Sequence, residues 1–138
     1  MRNTKRGFTL IELLVVIAII GILSAIVLAS LSTARSKAQD SKVQGQLSSM
    51  RAAAEIYYGN NSNSYGSSNA CTGNMFADTT SGMSGLVTAT TGSVCSSNGT
   101  AWAVKAPLVS NASAYWCVDS TGASKSAGSN GTPANVCP

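Results

Sequence analysis

The apolar positions of this chain fall into three regimes. From Phe8 to Leu31 they run almost without interruption, with Glu12 the only charge between Phe8 and Ala34. From Val43 to Tyr57 they thin to one stripe: Val43, Leu47, Met50, Ala54 and Tyr57, separated by 4, 3, 4 and 3 positions, the spacing of one helix face. Beyond Gly59 they are sparse and alternate only in short stretches. The first regime predicts a helix of 24 residues, about 36 Å long at the α-helical rise, enough to cross a hydrocarbon core of about 30 Å. Ala34 to Tyr58 lacks proline and is rich in Ala, Gln, Lys and Arg, so the helix is predicted to continue. Arg51 and Glu55, four apart, read as a weak stabilising pair, and Gly59-Asn60-Asn61 as the stop. Unbroken from Phe8 to Tyr58, the helix would extend about 75 Å.

Two later stretches read as strands. Ala101 to Ala106 alternates Trp102 and Val104 with smaller or charged residues, and Pro107 makes the residues after it a connection. Ala114 to Asp119 is the second, closed by Ser120-Thr121-Gly122, with a short third near Ala123-Ser124-Lys125. A two- or three-stranded antiparallel meander laid on the helix stripe is the expected assembly, since an isolated hairpin is marginal in water. The predicted class is therefore α+β: a long N-terminal helix packed on a small antiparallel head.

Composition sharpens this picture. More than half of residues 59–138 are Ser, Thr, Asn or Gly, and only Asp78, Lys105, Asp119 and Lys125 are charged. Such a segment tends towards disorder, offset here by Trp102, Val104, Tyr115, Trp116, Val118 and four cysteines. Cys71, Cys95, Cys117 and Cys137 include no C-x-x-C, and the chain has no histidine, which argues against a zinc site and against Ser-His-Asp or Cys-His catalysis. An even count in a polar, loop-rich region points to two disulfides and an oxidising compartment. Four cysteines allow three pairings. No cofactor is expected. Asn60, Asn98, Asn111 and Asn130 head N-x-[ST] sequons, which chance largely explains in so Asn- and Ser-rich a chain. Asp78 and Asp119 are the only head carboxylates, a thin set for calcium even with carbonyl help.

The formal charge of +4 is unevenly placed. Arg2, Lys5 and Arg6 precede the apolar run. Without them six basic and five acidic residues remain, which gives no basis for nucleic-acid binding. Arg35, Lys37 and Lys42 flank the far end of the run, so charge leaves membrane orientation nearly balanced. The cysteines favour an N-terminus in the cytoplasm and a head outside it.

Lys5-Arg6-Gly7-Phe8-Thr9-Leu10-Ile11-Glu12 joins basic residues, a glycine, an aromatic and a lone acid in apolar sequence. A secretory signal peptide, cut after Val27-Leu28-Ala29, and an uncut signal anchor both compete as readings. Neither explains a carboxylate at membrane depth, which is costly and calls for a partner. Were the chain cut after Gly7, Phe8 would gain an ammonium group.

These residues resemble the cleavage and methylation signal of type IV pilins and type II secretion pseudopilins. The resemblance covers about the first sixty residues and is most specific around Gly7–Glu12. It implies that a prepilin peptidase cleaves after Gly7 and methylates Phe8, and that Glu12 docks against the N-terminus of a neighbouring subunit. It further implies a leader at residues 1–7, an N-terminal helix at 8–58 whose 8–31 part is the transmembrane and assembly segment, and a small head at 59–138. The partners implied are prepilin peptidase, the membrane, assembly machinery, and copies of the chain or related pilins in a filament. The implied location is the inner membrane, single-pass, then an extracellular or periplasmic filament. A secretion pseudopilin, or a minor pilin or anchored adhesive module using an exposed aromatic such as Tyr65 or Trp102, is the alternative, with burial the favoured reading for Trp102. Many pilin heads end in a disulfide-bounded loop, which favours Cys117–Cys137 and so Cys71–Cys95. Gly21 stands where many pilins carry a helix-weakening glycine, but Ala29 occupies the place of their usual proline.

Overall fold

A computed structural model describes residues 7–128 and 131–138. Arg2, Lys5, Arg6 and the Asn130 sequon therefore lie outside the described residues. The chain divides into two compact units, Met1–Arg35 and Ser36–Pro138.

Helix α1 runs over Leu10–Asn60, two residues past the predicted end at Tyr58 and beginning two after Phe8. In the first unit every large apolar side chain from Phe8 to Leu31 is exposed, and the helix is long and apolar enough to cross a membrane. The second unit supplies the core. Leu47, Met50 and Ala54 of the predicted stripe are buried, with Val43 and Tyr57 packed at its margin. Against them lie Trp102, Val104, Ala106 and Val118 from the sheet. Fully burying side chains such as Leu47 and Met50 contributes about 1.5–3 kcal/mol each.

The sheet has four antiparallel strands in sequence order, one more than the longest meander expected: β1 (Val94–Ser97), β2 (Trp102–Pro107), β3 (Ala114–Asp119) and β4 (Ser124–Gly128). Cross-strand partners include Ser97 with Trp102, Val104 with Val118, and Cys117 with Lys125. The period of two sends Trp102, Val104 and Ala106 towards α1 and Lys105 to the opposite face, where its ammonium sits 5.0 Å over the Tyr115 ring and donates to the Gly128 carbonyl at 3.1 Å.

Between α1 and the sheet, a 3-10 turn (Asn74–Ala77) and helix α2 (Met83–Ala89) add Met75, Phe76 and Met83 to the core. Gly66 in the preceding loop has φ of +71°, and a Cβ there would meet the Asn74 Cβ at 2.7 Å, so only glycine fits.

Candidate functional site

The start of α1 is built from Thr9 and Glu12. Thr9 occupies the N-cap position, and its hydroxyl accepts the Glu12 N–H at 3.2 Å. In return the Glu12 carboxylate accepts the Thr9 N–H at 2.8 Å and the Thr9 hydroxyl at 2.7 Å, both on Oε2. This is a reciprocal capping box, which satisfies backbone donors that a helix start otherwise leaves open. The Thr-x-x-Glu spacing before an apolar run is its sequence signature, and it accounts locally for an acid that the apolar sequence alone does not. Oε1 accepts no bond among the described residues. It is a charged acceptor on the flank of an apolar helix, suited to a cation brought by another chain. Phe8 is 90% exposed, and a Cβ on Gly7 would meet nothing within 4 Å, so the peptide bond between them is sterically open.

The four cysteines belong to the second unit. Cys71 is bonded to Cys95 and Cys117 to Cys137. The first bond ties the loop after α1 to β1. The second fastens the C-terminal segment over the outer face of β3, where Cys117, Ala127 and Cys137 form a small separate core. Asp119 reinforces that fastening: its carboxylate accepts the N–H groups of Cys137 at 2.7 Å, Thr121 at 2.9 Å and Ala123 at 3.0 Å. Burial pushes its pKa up, but the Cys137 N–H and the Thr121 and Ala123 donors outweigh burial and hold it below the usual carboxylate range. Asp78 spends its oxygens on Thr80 and Ser81 beside α2, with the Ser81 bonds holding its pKa low.

Two expectations need correction. The Arg51–Glu55 pair does not appear; each finds a partner in the head instead. Arg51 donates to the Ala123 carbonyl, and Glu55 accepts the Tyr65 hydroxyl at 2.8 Å. A tertiary acceptor outcompetes a solvated helix pair because an exposed pair contributes little. Nor is Tyr65 available as a surface aromatic, and Trp102 lies in the core, as expected from its place among the core residues of the head. Both are buried, their rings 6.5 Å apart edge to face, and burial first, then the Glu55 bond, pushes the Tyr65 hydroxyl up to about 12. Asn60, Asn98 and Asn111 are exposed.

Comparison with known proteins bears on the N-terminal segment. Residues 2–28 match the family described as the prokaryotic N-terminal methylation motif. Over its N-terminal half the chain is similar to type IV pilins and to a type II secretion core protein. The Type IV wide pilus major component PilA4 of Thermus thermophilus is 50% identical over 70 residues, 51% of this chain and 52% of the relative. The Type IV major alpha-pilin of Moraxella bovis is 49% identical over 53 residues, 38% of this chain and 33% of the relative. The Type II secretion system core protein G of Klebsiella michiganensis is 39% identical over 61 residues, 44% and 43% of the two chains. The chain thus spans about half or less of the length of these relatives. No solved structure matches it. The long apolar helix, the four-stranded sheet and the two disulfides make a pilin-like α+β fold.

Proposed function

We propose that the chain is a structural subunit of a type IV pilus-like filament rather than an enzyme. The observation that carries the reading is the match of residues 2–28 to the methylation motif, with Glu12 inside it on a stretch of α1 that is otherwise apolar and whose large side chains are exposed. Prepilin peptidase cuts the bond after Gly7 and methylates the new Phe8 amine. The methylated ammonium of one subunit then pairs with Glu12 Oε1 of its neighbour while Oε2 continues to cap its own helix. The apolar side chains of residues 8–31 lie in the membrane before assembly and against other subunits after it. The stapled head stays outside the cytoplasm, where its disulfides form.

The test is mass spectrometry of the N-terminal peptide of protein taken from its native membrane or filaments. A chain beginning at methylated Phe8 supports the reading. A chain beginning at Ser30, or uncut near Met1, overturns it.

The likeness to a secretion core protein favours one second reading, a pseudopilin that serves protein secretion. Deletion of the gene decides between them: loss of surface filaments with secretion intact supports the pilus, and loss of secretion alone supports the pseudopilus.

A further inference from the structure

A cleft of about 450 Å³ opens within the unit Ser36–Pro138. One wall is α1 at Lys42, Val43 and Gln46, and the other is the end of β2 at Pro107 with Leu108 and Val109 of the connection that follows it. Hydrogen bonds at both ends tie the elements that frame the cleft. Asp40 binds the N–H groups of Val109 and Ser110 on one side, and Thr90 binds Gln46 and the Leu86 carbonyl on the other. Val109 remains 54% exposed although its backbone is tied down.

Among the described residues of this unit the exposed large apolar side chains are Ile56, Val109 and Val136. Two of them stand beside exposed charges of opposite sign. Val109 shares the cleft with Lys42, whereas Ile56 comes directly after Glu55 on the exposed flank of α1. Glu55 is engaged at Oε1 by the Tyr65 hydroxyl, and that bond orients its carboxylate. One copy therefore carries an apolar and basic socket and, about 21 Å further along α1, an apolar and acidic plug.

We propose that the cleft receives Ile56 of a second copy of this chain, with Glu55 of that copy facing Lys42. The inference rests on the filament reading and names a head-to-head contact within that filament. Plug and socket are different surfaces, so the contact is heterologous, and it builds the open helical array of a filament when the rotation between copies does not close a ring. Ile56 entering beside Val43, Leu108 and Val109 supplies the apolar burial. The Lys42–Glu55 pairing sets register more than strength.

The test uses full-length chains in filament-forming cells. Val109→Lys and Ile56→Asp alter exposed side chains and put no second carboxylate beside Asp40, so the head should melt as wild type. Each alone is expected to lower the yield of sheared filaments about tenfold by placing an unpaired charge in the contact, and the double variant is expected to recover most of it. A photo-crosslinking residue at position 109 should capture a peptide containing Ile56 from another copy, distinguished by mixing isotopically labelled and unlabelled chains. Wild-type filaments with silent single variants, no recovery in the double variant, or capture of a different segment overturns the contact and leaves the filament reading intact. Absence of wild-type filaments together with an unprocessed N-terminus sinks both.

Discussion

Asp40 on α1 accepts the backbone N–H of Val109 at 2.5 Å, across 69 positions of sequence. The same carboxylate takes the N–H of Ser110 at 3.2 Å and the Ser110 hydroxyl. A single acid thereby fastens the β2–β3 connection to the helix at Val109 and Ser110. The Ser110 hydroxyl is the main cause holding the Asp40 carboxyl below its usual range; burial opposes it, and the Ser110 and Val109 N–H groups add to the lowering.

Asp40→Ala removes the acceptor for three donors at once. The expected outcome is rapid hydrogen exchange at Val109 and Ser110 with little change at the β2–β3 pairs, for example Val104 with Val118. Ser110→Ala, which keeps both N–H bonds, should show a much smaller effect. Unchanged protection at Val109 in Asp40→Ala would remove Asp40 as the anchor.

The acid side of the stability curve is set by the same kind of bond. Asp40 and Asp119 both have folded-state pKa values below their unfolded ones. Their contribution is therefore complete above the unfolded carboxyl pKa of about 4 and is lost as pH falls through the lower folded values. Thermal melts of the head should be flat from neutral pH to about 4 and fall below it. In Asp119→Asn, which cannot gain a proton, the fall should be shallower, and a parallel curve would exclude Asp119 from the effect.

The staples should matter more than any one polar contact. Cys71–Cys95 spans 24 positions and Cys117–Cys137 spans 20. Closing loops of that size contributes about 3 kcal/mol each in the chain-entropy account. Urea unfolding of the two Ser-Ser double variants should show losses of about that size. The Cys117→Ser/Cys137→Ser variant retains the bond from the residue-137 N–H to Asp119, so its C-terminal segment should stay partly protected from exchange, whereas adding Asp119→Ala should free it.

The helix and the last three strands are readable in the sequence because their patterns are local. A continuous apolar run, a 4-3-4-3 stripe and the alternation around Trp102 and Val118 each carry their own period. β1 is not readable: Val94-Cys95-Ser96-Ser97 has one branched apolar residue, and its strand state comes from pairing with β2. Helix α2 is hidden for a similar reason, since Met83–Ala89 contains glycine and threonine and buries only Met83. Asp40 looks like a solvated helix acid because its partners lie far along the chain. Arg51 and Glu55 show the converse, a local pairing rule overruled by tertiary acceptors. At the N-terminus Gly7, Phe8 and Glu12 stand out by residue type, but the role of Thr9 emerges only when the spacing Thr-x-x-Glu is read as a cap.

That cap changes how Glu12 must be tested. Glu12→Ala removes both the charge available to a neighbour and the acceptor for the Thr9 N–H, so a loss of assembly would have two explanations. Glu12→Gln separates them. Its amide oxygen still accepts from Thr9, preserving the helix start, but it carries no charge for an incoming ammonium group. If docking is the role, filaments of Glu12→Gln should fall to the level of Glu12→Ala, and the membrane-extracted subunits should keep the helicity of the wild type. Thr9→Val, which loses the hydroxyl and keeps the charge, should assemble better than either. If Glu12→Gln instead assembles like wild type while Glu12→Ala and Thr9→Val both fail, the carboxylate serves its own helix and the neighbour's N-terminus must be met by another group.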